Sequence, residues 1–192
     1  MFNDTSSPLS LLQTRRSGKP RDLGAPGPSE AQVAEMCAIA CRTPDHGKLA
    51  PWRFVMVADA QRDAFAALLL DAYRGERPGA KQLELDAVEQ FARQAPALVV
   101  ALSSPRLGSQ IPVWEQELSA GAACMNLLHA AHAMGFAGGW LSTWAAFNEQ
   151  VRDAFGAAPE RIAGFIFIGT PTRPQEERPR PDLAVTVRKW TP

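Results

Sequence analysis

Residues 43 to 54 read TPDHGKLAPWRF, placing a carboxylate, an imidazole and an ammonium between two prolines, with Trp52 and Phe54 just beyond. Arg42 precedes them and adds a fixed cation. Loops between a helix and a strand commonly carry functional groups, so the stretch fits a binding loop. It also fits a solvated turn, in which Arg42 and Lys48 complement the negative end of a helix dipole and Asp45 makes the bend. A second cluster, QTRRSGK at 13 to 19, offers two guanidinium groups, a hydroxyl and an ammonium. Donors of this kind suit the acceptor oxygens of a phosphate. No Walker A pattern and no GxGxxG occurs, so any phosphate would be held by side chains at a helix end, and the dipole reading applies here too. A third stretch, GFAGGWLST at 135 to 143, removes side chains just before Trp140. That suits a backbone approaching a flat ligand, and equally a close-packed strand.

Other groups point less far. His129 and His132 stand three residues apart, a spacing compatible with two metal ligands, but no Cys or carboxylate pattern accompanies them, and no metal is expected. Cys37 and Cys41 lie one helical turn apart; they read as a thiol pair, as half a metal site, or most simply as small buried side chains on an apolar helix face. No Ser/His/Asp set emerges, so no catalytic side chain is named.

The elements that must position these residues follow from periodicity. Leu9, Leu11 and Leu12 suggest a short helix ending near Arg15 and Gly18. Ser29 with Gln32 forms a capping-box pattern ahead of Val33, Met36, Cys37 and Ala40, and this helix should stop at Thr43 because Pro44 follows. Residues 54 to 58 read as a buried strand, with Asp59 as cap of a third helix carrying Phe65, Leu68 and Leu69. A further helix is expected over 81 to 94 and a second strand over 97 to 102. The longest helical pattern runs from Trp114 to Met134 and closes at Gly135. Its middle, SAGAACM, is almost all small residues, which allow close packing inside the domain or against a second subunit. GGWLSTW reads as the third strand, Asn148 as the cap of a short helix ending at Gly156, and 162 to 169 as the fourth strand. The Pro/Arg-rich tail reads as an extended arm. Short strands apolar on both sides, outnumbered by helices, imply a sheet between helices, in an α+β or mixed α/β arrangement.

The 192 residues suit one domain over 1 to 192, with no repeat and no linker. Acids and bases balance at 20 each, so no general field favours nucleic acid or an anionic membrane. The N-terminus lacks a secretory pattern, no stretch approaches a membrane span, and three cysteines without secretory context predict reduced thiols in a cytoplasmic protein.

The order of the segments is more specific than any one of them. RRS, then RTPDH with the P-W-x-F of PWRF, then WEQE and SAG leading a long helix, then GFAGGW, then GFIFIGTP resemble the nitroreductase family of flavoproteins, in its compact bacterial branch, over about residues 9 to 192. The resemblance implies an FMN-binding α+β domain with a central, mostly antiparallel sheet flanked by helices. It further implies an intertwined homodimer in which both subunits build each flavin site. Carried over residue by residue, Arg15, Arg16 and Ser17 would hold the phosphate and ribityl side of FMN. Arg42 and His46 would reach the flavin from the partner subunit, and Trp140, Leu141 and Ser142 would lie along its ring. Asp45 is then a turn residue. Two departures stand out. Leu49 and Ala50 precede Pro51 where many members carry an Asn that contacts flavin, and Leu141 stands where relatives can present a charged side chain. Arg178 and Arg180 are placed like the basic residues that grip the phosphate in larger relatives. The implied activity passes hydride from NAD(P)H to the flavin and on to a nitroaromatic, quinone or similar small-molecule acceptor, in ping-pong order. Loops 71 to 81 and 103 to 113 would shape the acceptor pocket. Processing of one particular metabolite, and flavin binding without turnover, are the alternatives at this level.

Overall fold

In the computed structural model, which describes residues 2–192, the elements run α1 Pro8–Thr14, β1 Leu23–Gly24, α2 Glu30–Ala40, β2 Trp52–Val57, α3 Arg62–Glu76, α4 Gln82–Arg93, β3 Ala97–Ser103, α5 Val113–Ala133, β4 Ala137–Leu141, α6 Glu149–Asp153, β5 Arg161–Pro171 and α7 Leu183–Thr186. All strand pairings are antiparallel: β5 pairs with β3, β4 and β1, and β3 also pairs with β2. This is the expected α+β architecture with a central antiparallel sheet.

Alternation along the strands sorts side chains onto two faces. Leu98, Val100, Leu102, Phe165 and Phe167 meet α3, α4 and α6, while Val99, Ala101, Ile166 and Ile168 meet α2 and α5. The three layers follow from central strands whose middle stretches, 97–102 and 162–169, are apolar on both faces, since each face has helices to cover it.

Several boundaries differ from the sequence reading for local reasons. The capping box of Ser29 and Gln32 forms as expected, but α2 ends at Ala40, and Arg42 and Thr43 close tighter turns onto Ile39 and Ala40. Asp59 caps nothing: it opens a short 3-10 turn, and Gln61 instead accepts from the Ala58 amide at 3.0 Å before α3 begins. The third strand ends at Leu141, leaving Ser142 beyond it. A fifth strand, β1, is two residues long and offers no periodicity to read. In the tail, Asp182 caps the single turn of α7 where an extended arm was expected. Asn148 caps α6 and Gly135, at φ +87, ends α5, both as read. Among the described residues no helix is long and apolar enough to cross a membrane.

Candidate functional site

The RRS segment starts where α1 stops. Arg15 is the residue at the end of the helix, with an extended ψ of 129 that turns the chain away, and the loop then runs against β4, where the Gly18 amide donates to the Gly138 carbonyl at 3.0 Å. A Cβ on Gly139 would lie 2.6 Å from the Gly18 carbonyl oxygen and 2.9 Å from Pro20, and one on Gly138 would lie 2.6 Å from Leu128. Of the two readings of this glycine pair, close packing is the one the geometry bears out: the glycines let the basic loop and α5 lie flush on the strand.

A groove of about 610 Å³ opens along this junction, and Arg15, Arg16, Ser17, Trp140 and Leu141 line it together. Lys19, Arg21 and Arg178 add three more cations to its wall, and no lining residue is acidic. Met125 and Leu128 of α5 supply apolar surface beside Trp140. One part of the groove is therefore rich in donors and positive charge, and another is flat and apolar. The indole is fixed by a 2.9 Å hydrogen bond from Trp140 Nε1 to the Ala163 carbonyl. Gly164 leaves room for it, since any Cβ there would run into the indole.

The two arginines are not equivalent. Arg16 donates from Nε and Nη2 to the Glu176 carbonyl at 2.9 and 2.6 Å and lies 3.4 Å from the Glu177 carboxylate, so its guanidinium holds the C-terminal segment. Arg15 makes only a 3.4 Å contact to Ser17 Oγ. Burial, reinforced by the charges of Arg180 and Arg16, holds its guanidinium below its ordinary value. It is a half-buried cation facing other cations, which an anion would relieve.

Arg42, His46 and Ser142 do not line this groove. Arg42 is exposed, with no side-chain partner among the described residues. His46 pairs through Nδ1 with Glu115 of α5 at 2.9 Å. The His46 turn is tied to α5 at further points: Ser119 Oγ donates to the Pro44 carbonyl at 2.8 Å and Asn126 to Thr43 Oγ1 at 2.6 Å. Asp45 accepts from the Ala50 amide at 2.8 Å, which makes it a turn residue. The turn is strained, with Lys48 at φ +54 and Ala50 at φ +46 beside Gly47 at φ +76. Each non-glycine residue held there costs about 1 kcal/mol or more, so the surrounding contacts must hold it.

Sequence reasoning did not assign Met125, Leu128, Arg21 or Glu115 to the site. The helical spacing of Met125 and Leu128 reads as core, and only the packing of α5 on β4 opens that face to the groove. His132 is fully buried and donates from Nδ1 to the Phe136 carbonyl at 3.1 Å. The carbonyl can only accept, so Nδ1 carries the proton. Burial, aided by the charge of Arg15, pushes its pKa down to about 4. No group of three or more His, Cys, Asp or Glu side chains able to hold a metal occurs among the described residues.

Comparison with known proteins adds three findings. A model of the nitroreductase family matches residues 12–170. Among curated proteins, "Putative NAD(P)H nitroreductase YdjA" of Escherichia coli K12 is 33% identical over 164 residues, covering 85% of this chain and 87% of that protein. A "Putative NAD(P)H nitroreductase" of Haemophilus influenzae is 36% identical over 165 residues, covering 84% and 87%. Among solved structures, a nitroreductase-like family protein from Bacillus cereus superposes with a TM-score of 0.80 at 19% identity, covering 96% of each chain. The FMN and NADPH-dependent nitroreductase NfnB from Sphigopyxis sp. strain HMH superposes with a TM-score of 0.76 at 18% identity, covering 96% of this chain and 99% of that one.

Proposed function

The chain belongs to the nitroreductase family, a family of oxidoreductases, and from its groove we propose that it is an FMN-dependent enzyme that oxidises NAD(P)H and reduces a nitroaromatic, quinone or similar small molecule. The observation that carries this reading is the pairing, in one groove, of an acid-free set of cations with a fixed indole and apolar helix surface. A phosphate ester of a flat heterocycle has that division of chemistry. Arg15, with Ser17 beside it, is the free donor for the phosphate, while Arg16 braces the segment that carries Arg178 into the groove. Trp140 and Leu141 provide the surface on which a ring system lies, with Ser142 just past the strand end.

Bound there, FMN would supply the hydride-transfer chemistry between NAD(P)H and the acceptor, and the proposed order is ping-pong. The chain contributes orientation, charge and the exclusion of water, in keeping with a groove lining that holds no His, Cys, Asp or Glu. Arg42 and His46 lie outside the groove of their own chain, and we assign them to the flavin of a second copy, which makes the working unit a homodimer. The covering face is the exposed apolar side of α5, where Trp114 is 67% and Leu118 55% exposed. A cytoplasmic location belongs to the same proposal, as does a single domain over 1 to 192.

Purification decides the first step. The protein should carry a yellow flavin, or take up added FMN, and bleach on anaerobic addition of NADPH or NADH, with colour returned by a nitroaromatic or quinone. Yellow protein inert to both nicotinamides would make it a flavin binder without turnover. A colourless protein that ignores added FMN would overturn the flavin reading altogether.

A further inference from the structure

Gln116, in the first turn of α5, is 2% exposed and does not line the groove described above. Its amide faces the loop of residues 104–112 that joins β3 to α5. Oε1 accepts from the Arg106 amide at 2.8 Å, and Nε2 donates to the Ile111 carbonyl at 2.9 Å and to the Arg106 carbonyl at 3.3 Å. The orientation of the amide follows from its partners, because an N–H must meet the oxygen and two carbonyls must meet the nitrogen.

What this loop presents is Ile111. Its Cγ1 lies 3.4 Å from where a Cβ on Gly47 would stand, so the side chain packs directly on the strained turn that carries His46. Backbone held in the left-handed region persists only where its surroundings over-determine it. The supports of this turn are few: Asp45 on the Ala50 amide, Glu115 on His46, Ser119 on the Pro44 carbonyl, Asn126 on Thr43, and Ile111 on Gly47. Asp45 acts within the turn itself. The other four come from residues of α5 or of the loop that Gln116 holds.

We propose that Gln116 is a positioning residue for the His46 turn: by fixing the Ile111 carbonyl it seats the Ile111 side chain against Gly47 and so sets where His46 stands. It touches no ligand. The consequence for flavin rests on the reading above that His46 helps complete the site; the positioning itself does not.

Amide hydrogen exchange on the full-length protein without added flavin, followed by FMN titration of the same samples, tests it. Two amides report on the two segments, Arg106 N held by Gln116 and Ala50 N held by Asp45. Gln116→Glu keeps the acceptor for Arg106 N but loses the donors to the carbonyls. Exchange at Ala50 should then rise roughly tenfold while Arg106 stays protected, whereas Gln116→Leu should release both. Ile111→Ala should release Ala50 alone, and Ile111→Val, which retains a branch at the contact, should restore it. FMN affinity should fall in step with Ala50 protection. Ala50 exchange at the wild-type rate in Gln116→Leu and Ile111→Ala would overturn the proposal. So would exchange that accelerates equally along β3 and β5, which marks a general loss of stability. Release of Ala50 with unchanged FMN affinity would support the positioning and overturn the flavin role of His46. If even the wild-type chain binds no FMN, the proposed function fails, and the exchange pattern alone still decides the positioning.

Discussion

Arg15 and Arg16 are neighbours in sequence with opposite commitments, and this separates the roles proposed for them. Arg15 is half-buried with one weak contact, so its charge is available. Arg16 spends two donors on the Glu176 carbonyl. A charge-assisted hydrogen bond contributes about 1.5 to 3 kcal/mol, so Arg15→Ala should weaken FMN roughly ten- to a hundredfold. Riboflavin, which lacks the phosphate, should be affected far less. Equal losses for both flavins, read by flavin fluorescence, would refute the phosphate role. Arg16→Ala should act first on the tail, speeding proteolysis near Glu176. The pair is legible in the sequence as a candidate anion-binding cluster, but the division of labour is not, because Glu176 lies 160 residues away from Arg16. Trp140 and Leu141 are legible for the same reason as RRS, their place in an ordered set of motifs. Gln116 lies in the same ordered set, within WEQE, but its role is not legible there, since a polar residue between Glu115 and Glu117 reads as part of a solvated helix face until the loop is folded over it.

Helix α5 does more than any other element to assemble the site. Its first half holds the His46 turn and the 104–112 loop, its middle lines the groove through Met125 and Leu128, and its last turns bury His132. That last residue predicts a pH dependence of stability. In the unfolded chain the imidazole takes up a proton near its usual 6.5, whereas in the folded protein it resists until about 4. Below 6.5 the unfolded state therefore binds more protons, and stability is lost as pH falls from about 6.5 to about 4, by about 3 kcal/mol for this group. Above 6.5 the contribution is flat. His132→Gln, which can still donate to the Phe136 carbonyl, should flatten this part of the profile in urea unfolding series; an unchanged acid limb would remove His132 from the cause. The element pattern itself was largely readable, because β3 over 97–102 and β5 over 162–169 carry no polar side chain and α5 has a long helical period with a glycine stop. What escaped was short or context-made. Two-residue β1 has no period, and the single turn of α7 follows an Asp cap inside a Pro/Arg-rich tail. Asp59 has the composition of a cap, yet the chain first makes a 3-10 turn in which Gln61 takes the Ala58 amide.

At the scale of the molecule the small-residue run of α5 divides between two environments. Ala120, Ala123 and Cys124 are buried within the chain, which explains part of the run without any partner. A Cβ on Gly121 would stand 3.9 Å from the Trp140 ring, so a bulky residue there would press on the groove itself and cannot report on association alone. Leu118 and Ala122 are different: they lie one turn apart on the same face as Trp114 and are exposed. Leu118→Glu is therefore the cleaner probe. In a two-fold interface the substitution would bring two like charges together out of water, and a central apolar contact of this kind is worth about 2 kcal/mol or more. The dimer dissociation constant should rise by roughly thirtyfold or more, with little effect on the fold of the single chain because more than half of the residue's surface is exposed. FMN affinity should fall as the dimer is lost, since Arg42 and His46 would no longer reach the second site. Sedimentation and flavin titration on the same samples separate the outcomes. A Leu118→Glu chain that remains a tight dimer would place the interface elsewhere. One that becomes monomeric and still binds FMN as the wild type does would show that each chain builds its flavin site alone, and would leave Arg42 without the role assigned to it.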